Sequence, residues 1–496
     1  MQEREAKLAA PPGFDVPELG GPDDGFQAEP RPERRLQTTY YDTPDLRLAR
    51  WGASLRYRPG EGWTVKLPEG RNGVLLVRAE HVFGGDGRKP PPEAVALLRA
   101  FVRTGRLSPS ARMRTVRRPV ELREPAGSRL AELADDEVQV LDGRRVVARF
   151  RELEVELAED ADAGLLDQVV DRLLEAGAQA AEPTPKYLRA LGGRERVLGP
   201  EVVEPEVDAS ASVETLLRHD LASGTLRLFR HEAGVRIGED PEAVHQARVA
   251  TRRIRSTLRT FSSLLDEEWT DRLRDDLKWL ANLLGEVRDT DVLLERFSEH
   301  LAALPADDAK PGRRLLERLN DQRDQARRRL LGGMASDKYT QLLDDLVAAA
   351  AAPALLPGAD RPAAEVMPPL VAKPWRKLRK AARKAGDDPG DHELHQIRIR
   401  AKRARYAAEA VEPVIGTSAE DFADAIADLQ SVLGDHQDAV VGEAWLREAA
   451  ASARRDVALV AGLLIAAERA SGADTRGRWR KVWKAANSKQ LRAWLP

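Results

Sequence analysis

The sequence predicts a multidomain chain: an N-terminal antiparallel eight-stranded β-tunnel of α+β character, followed by an all-α domain built from a duplicated helical bundle. Two observations carry this. From Arg151 to Leu157, Glu152, Glu154 and Glu156 alternate with Leu153, Val155 and Leu157. That is the period of a β-strand, and it puts three carboxylates on one face and three apolar side chains on the other. In the second half of the chain, Val244-His245-Gln246-Ala247-Arg248 returns 150 residues later as Leu394-His395-Gln396-Ile397-Arg398, and Leu284 to Asp289 returns 149 residues later as Leu433 to Asp438. Two segments whose offsets agree within one residue mark an internal duplication.

Glu3, Glu5 and Lys7 repeat the period-2 arrangement, so the first strand also turns charge to one face. Only two residues precede Glu3, and a loop rich in Pro and Gly follows from Pro11 to Pro32, so this strand has little to anchor it. Short strand-like segments come next: Thr38 to Pro44, Leu55 to Arg58, Trp63 to Leu67 and Val77 to Glu80. Arg112 to Val120 carries Arg114, Arg117 and Arg118, and Val138 to Val147 reads as a hairpin that turns at Asp142-Gly143. A helix is expected near Leu165 to Ala176. A single strand with an acidic face is ordinarily a solvated surface strand. Several strands carrying acids and bases at matched parity instead describe a barrel whose interior is filled with charge and calls for a charged ligand.

These residues resemble the CYTH superfamily, the triphosphate tunnel metalloenzymes. Glu3-Arg4-Glu5-Ala6-Lys7 fits its Glu-x-Glu-x-Lys signature, and Tyr41 to Leu46, Leu55 to Arg58, Val65 to Leu67, Arg78 to Glu80, Thr115 to Arg118, Glu152 to Glu156 and Pro185 to Tyr187 follow in order. The resemblance implies an enzyme that binds a triphosphate substrate with Mg2+ or Mn2+ and hydrolyses a phosphoanhydride bond. Lys7, Arg56, Arg58, Lys66, Arg117 and Lys186 would then neutralise phosphate oxygens, the arginines gripping two at once. Glu3, Glu5, Glu152, Glu154 and Glu156 would hold the metal. Arg78, Glu80 and Arg114 are lesser candidates, equally suited to structural ion pairs. Some relatives cyclise ATP; no motif here supplies recognition of a base and ribose, so hydrolysis of a small triphosphate is the expectation.

The tunnel is expected over residues 1–195 and a linker over 196–210. The helical domain is expected over 211–496, with halves of about 211–346 and 375–496 joined by the Ala- and Pro-rich stretch Ala348 to Pro374. His245, Arg248, Arg252, Arg255 and Arg259 fall on one face of a helix; His395, Arg398, Lys402 and Arg405 repeat the pattern, with Glu409 at its last position. A basic stripe of this kind is ordinarily solvated or paired with neighbouring acids. Two in matched register repel each other unless an anion lies between them. This half resembles the CHAD domain, a histidine-containing α-helical domain that commonly follows CYTH, which implies binding of inorganic polyphosphate; the matched register of the two stripes predicts that both face one groove and bind a single chain. The histidines are expected to hydrogen-bond phosphate rather than hold metal. A binding or scaffold protein without turnover is the rival reading. RNA binding is disfavoured, because no aromatic side chains interleave the stripes for base stacking.

Composition agrees. The 496 residues exceed one typical core, and 79 Lys+Arg against 81 Asp+Glu give a net charge of -2 that conceals local segregation. There is no cysteine, hence no disulfide or thiolate metal site. No apolar run spans a bilayer and charge follows Met1 almost at once, so no membrane association is expected and the expected location is the cytoplasm, with association with polyphosphate granules as the further expectation.

Overall fold

The structure is a computed structural model that describes residues 2–21, 25–72, 75–125, 127–158, 160–180, 185–192, 194, 198–386 and 388–496, and the side chains of these except 2–4, 69–72, 75–78 and 163. The chain divides into two compact units, Met1–Glu201 and Val202–Pro496.

In the first unit the strands are β1 (Gln2–Ala9), β2 (Gln27–Pro30), β3 (Arg34–Asp42), β4 (Ser54–Arg58), β5 (Gly62–Asn72), β6 (Leu75–Phe83), β7 (Ser108–Arg123), β8 (Arg129–Asp142), β9 (Arg145–Leu157) and β10 (Gln179–Ala180). The antiparallel order β1, β6, β5, β4, β3, β7, β8, β9 closes because β9 pairs with β1, so eight strands form a barrel. β2 pairs with β7 and β10 with β1 as short additions; β2 falls in the stretch Pro11 to Pro32 that the sequence reads as a loop. The expectation of a poorly anchored first strand is corrected: β1 hydrogen-bonds to β6 and β9 along its length and to β10 at its end, and closure makes it a wall strand.

The barrel is apolar outside and charged inside. Ala6, Leu8, Leu122, Ala131, Leu133, Leu153, Val155 and Leu157 pack outward against Phe14, Phe26 and the helix Ala163–Glu175, through Leu166, Val169 and Leu173. With the apolar parity spent on this outer core, the alternate residues must face the lumen. At one end the inward side chains are themselves apolar: Tyr40, Ala111, Met113, Val138 and Val140 receive the short helix Lys186–Leu191 through Tyr187 and Leu191. Tyr187 stacks on Tyr40 at 4.8 Å and its hydroxyl donates to Asp42 at 2.7 Å. Asp42 also accepts from the backbone N–H groups of Leu48 and Ala49, at 2.9 and 3.0 Å. The Tyr41-to-Leu46 motif is therefore anchored by a buried capping carboxylate.

The expected linker over 196–210 is divided between the units; its residues 196 and 197 lie outside those described. Glu201 accepts from Arg103 at 2.7 Å and Trp51 at 2.5 Å in the first unit, while the carbonyl of Pro205 receives the His219 ring 2.9 Å away in the second. Paired charge and a backbone contact order this stretch despite its Pro and Glu content.

In the second unit, the helices Val213–Ile237, Pro241–Thr260 and Glu267–Ala302 are followed by Ala306–Met334 and Asp337–Ala351; Ala363–Lys384, Asp391–Glu409, Thr417–Ala451 and Arg455–Ala486 repeat the first four. The first three repeat at an offset of 150 residues and the fourth at 149, as the sequence duplication requires. Residues 150 apart also meet: Ser212 and Pro362 form an antiparallel bridge, with Val213 N–H donating to Arg361 and Ala363 N–H to Ala211. Equivalent residues pair with each other where a pseudo-twofold axis passes. The second repeat begins at Ala363, not near 375, and Pro368, Pro369 and Pro374 lie inside its first helix. Three prolines normally argue against a helix. Here Met367, Leu370, Val371, Trp375 and Leu378 recur at helical spacing and are buried, and that face outweighs the missing donors. No described helix is long and apolar enough to cross a membrane.

Candidate active site and candidate polyanion site

Register across β8, β9 and β1 arranges the lumen's acids in rows. Glu132, Glu156 and Glu5 lie side by side; Ala134, Glu154 and Lys7 form the next row, and Asp136, Glu152 and Ala9 the third. The middle of this wall is a buried ion network. Lys186 Nζ lies 2.5 Å from Glu154, 2.6 Å from Asp136 and 3.0 Å from Glu152. Arg117 grips Asp136 with two bonds of 2.8 and 2.7 Å and reaches Glu154 at 3.1 Å, and Lys7 also donates to Glu154. Burial opposes charge on Glu154, yet Lys186, Lys7 and Arg117 together outweigh it and hold the carboxyl well below the ordinary range. On the facing strands Lys66 meets Glu80 at 2.8 Å and Arg56 meets it at 3.8 Å. Arg58, with 10% of its side chain exposed, donates to Thr38 at 2.9 Å and to Glu61 at 3.1 Å.

All six predicted tunnel cations thus turn into the lumen. Glu5, Glu152, Glu154 and Glu156 line it with them; the side chains of Glu3 and Arg78 lie outside those described. Arg114 is exposed on the outer face. The sequence reading missed Asp136 and Glu132. Asp136 is fully buried and is the partner of Arg117 and Lys186. Its parity was legible, but β8 reads as Ala-Glu-Leu-Ala-Asp-Asp-Glu, a mixed pattern from which no face stands out.

The chemistry of the lumen's donors, carboxylate oxygen, is that which a hard divalent cation takes. In the row of Glu5, Glu156 and Glu132 three carboxylates adjoin, and burial, with Glu5 and Glu132 adding to it, raises the Glu156 carboxyl above its ordinary value despite Lys66 and Arg129. Glu5 Oε1 and Glu152 Oε1 are buried without a hydrogen bond, although Lys7 stands 3.3 Å from the first and Lys186 3.0 Å from the second. Among the described residues no three acidic or histidine side chains gather around one point. In this row Glu156 makes no ion pair within 4 Å among the described residues, while Glu5 meets Lys7 at 3.3 Å and Glu132 meets Arg129 at 3.5 Å and Arg117 at 4.0 Å; carboxylate oxygens suit Mg2+ and Mn2+.

In the helical unit the two basic helices, Pro241–Thr260 and Asp391–Glu409, touch. Arg252 lies over the Tyr406 ring at 5.0 Å; burial, and after it Arg248, Arg405 and Arg398, holds its guanidinium below the usual value. Burial, then Arg398, Arg252 and Arg248, push the Lys402 amine down to about 7. Arg252 and Lys402 are equivalents 150 residues apart, so the stripes converge near the pseudo-twofold axis. Arg248 approaches Asp289 at 3.4 Å and Arg398 approaches Asp438 at 3.9 Å, each guanidinium passing over the glycine of its Leu-Gly motif, Gly285 or Gly434. The duplicated segments are thus one device: a glycine for close approach and an aspartate to orient an arginine. Arg252 Nε and Arg398 Nε are buried donors without a hydrogen bond. Burial lowers the His245 ring below its ordinary value, and His395 Nδ1 lies 2.5 Å from Gln437 Oε1. Arg405 is tied to Glu409 at 2.6 Å, and Glu409 also binds Arg253 at 2.8 Å. Arg255 and Arg259 do not join this cluster; after burial, Arg255 lies in the field of Arg274, Asp275 and Arg403, and Arg259 in that of Arg403, Arg274 and Arg255.

A closed β-tunnel with an acid- and base-lined lumen, joined in one chain to a duplicated bundle of basic helices, defines a two-part class of protein. The sequence profile of the CYTH domain matches residues 1–188 and that of the CHAD domain residues 220–447. Uncharacterized protein MT2285 of Mycobacterium tuberculosis is 34% identical over 459 residues, 86% of this chain and 84% of that one. Among solved structures, PptA from Streptomyces chartreusis is 25% identical and spans 55% of this chain and 100% of its own, with a TM-score of 0.47. The CHAD domain from the plant Ricinus communis is 28% identical and spans 57% of this chain and 96% of its own, also with a TM-score of 0.47. The chain belongs to the CYTH-CHAD family.

Proposed function

We propose that the tunnel hydrolyses a phosphoanhydride bond of inorganic triphosphate or a small organic triphosphate with Mg2+ or Mn2+, and that the helical unit binds inorganic polyphosphate. The observation that carries the first part is the lumen itself, where Lys7, Arg56, Arg58, Lys66, Arg117 and Lys186 face one enclosed space. So many enclosed cations suit a compact polyanion, and arginines at several points around it position the chain for in-line attack. Glu5, Glu132 and Glu156 would hold the metal, which when bound supplies charge neutralisation and a more acidic water. Glu154, Glu152 and Asp136 keep Lys7, Lys186 and Arg117 ionised and aimed inward, and phosphate oxygens take up the donors these acids share. Purified protein given inorganic triphosphate and Mg2+ or Mn2+ is expected to release phosphate, and chelation by EDTA to stop it. Binding of triphosphate without release would favour the scaffold reading.

The second part rests on Arg248, Arg252, Arg398, Lys402 and Arg405 gathered at the junction of the repeats, with buried donors left over. Polyphosphate offers charge at regular intervals and no base to read. Lys402 gives a test with a definite sign. Its amine titrates near 7 in the free protein, and adjoining phosphate oxygens would raise that value. Binding above pH 7 therefore takes up a proton, and affinity falls as pH rises. Calorimetry at about pH 8 in buffers of different ionisation enthalpy should show uptake of about one proton, absent in Lys402→Arg, since arginine stays charged. Equal proton exchange in both proteins would remove Lys402 from the site.

A further inference from the structure

Beside the shared cluster, the helical unit has a cavity of about 1080 Å³ between the helix Ala363–Lys384, the second basic helix and the end of the first. Lys373, Lys377, Lys380 and Lys384 recur at intervals of four, three and four residues and line it along one helical face, opposite Arg259 and Arg403. Among the described residues, none of these six cations has an ion-pair partner. Of the two acids on the lining, Asp388 approaches Arg476 at 3.7 Å and Glu393 turns back to its own helix start at Gly390. In a chain with nearly equal numbers of acids and bases, six cations without ion pairs around one concavity outnumber the two acids on its lining and repel each other. Burial, and next Arg403 and Arg274, accordingly hold the Arg259 guanidinium below its ordinary value. The feature is not a by-product of the duplication. At the positions 150 residues earlier stand Ser223, Arg227, Arg230 and Gly234, so the first repeat keeps only two of the four cations.

We propose that this cavity is a second phosphate-chain subsite, specific to the second repeat, which a long polyphosphate enters after crossing the shared cluster. Arg252, Arg255 and Arg259 form the route: they succeed one another along the first basic helix at three- and four-residue steps, and only Arg252 belongs to the shared cluster. The stripe that diverges from its counterpart at Arg255 therefore leads toward the lysine row. A chain long enough to follow it gains contacts that a short one cannot reach, so the cavity makes the unit select for length. The inference rests on the polyphosphate reading of the helical unit.

The test is lysine acetylation of the full chain under limiting reagent, read peptide by peptide by mass spectrometry. Long-chain polyphosphate should slow the modification of Lys373, Lys377, Lys380 and Lys384 while leaving the exposed Lys310 unaffected, and inorganic triphosphate should protect none of them. In parallel, Lys377→Glu with Lys380→Glu, both exposed and so harmless to the fold, should weaken long-chain binding by about tenfold at low salt. Long-chain binding with the four lysines reacting at the unprotected rate would overturn this inference and leave the shared-cluster reading standing. Absence of any polyphosphate binding would overturn both. Equal protection by single-stranded RNA of the same charge would overturn the assignment to a phosphate chain.

Discussion

Glu156→Gln is expected to lower metal-dependent phosphate release by about a hundredfold or more without lowering the melting temperature. Glu156 lies between Glu5 and Glu132 in the carboxylate row, and burial with those neighbours already disfavours its charge. Removing that charge relieves repulsion in the free protein and, under the proposed function, deletes an oxygen that would hold the metal. Glu154→Gln, two residues away, should behave oppositely. Glu154 holds Lys7, Lys186 and Arg117, and stripping the charge from a buried pair costs about 3–5 kcal/mol, a fall in melting temperature on the order of 10 °C for a unit of this size. The pH dependence separates them further. The folded-state carboxyl of Glu154 is depressed, so the stability it contributes is present above its unfolded value of 4.5 and is lost as pH falls toward the folded one. Thermal melts from neutral to acid pH should therefore show a steeper loss in the unaltered protein than in Glu154→Gln. Full turnover in Glu156→Gln, or a Glu154→Gln variant that melts like the parent, would sink the division of this strand into a metal position and an ion-network position.

Arg252→Glu with Lys402→Glu should all but abolish long-chain polyphosphate binding at low salt. The pair are equivalents about the pseudo-twofold axis, and each lies in the field of Arg248 and Arg398. The double change moves the shared cluster by three to four charges, since the Lys402 amine is only partly protonated near neutral pH. Unit charges about 8 Å apart interact by roughly 2 kcal/mol at an effective dielectric constant of 20, and 1.4 kcal/mol is tenfold in affinity, so a loss of about a hundredfold or more is expected. The difference from the parent should narrow at high salt, as the screening length shrinks from about 10 Å at 0.1 M to about 3 Å at 1 M. Introduced glutamates find arginines beside them, so helicity by circular dichroism should persist. Binding that survives the double reversal would make the stripes solvated faces. The triphosphate hydrolysis proposed for the tunnel should be unaltered.

While the tunnel cations came from the resemblance to the CYTH superfamily, the sequence by itself determined the alternation of the tunnel strands, the duplication and its offset. Each of these is local, or is a comparison of the chain with itself, and backbone periodicity translates them directly into faces. Tertiary structure alone decided which of the aligned carboxylates are spoken for. Glu152, Glu154 and Glu156 are indistinguishable along their strand, yet cross-strand register gives Glu154 to Lys7, Lys186 and Arg117 and leaves Glu156 among acids. Asp136 and Glu132 entered the site the same way, from a strand whose own pattern is mixed. In the helical unit, spacing put Arg248 to Arg259 on one face, but a helix face is wider than the contact between two crossing helices, so only its first part meets the second stripe. The prolines of 363–384 mislead for a related reason: their local cost is legible in sequence, while the buried face that outweighs it exists only once Met367, Val371, Trp375 and Leu378 have neighbours to pack against.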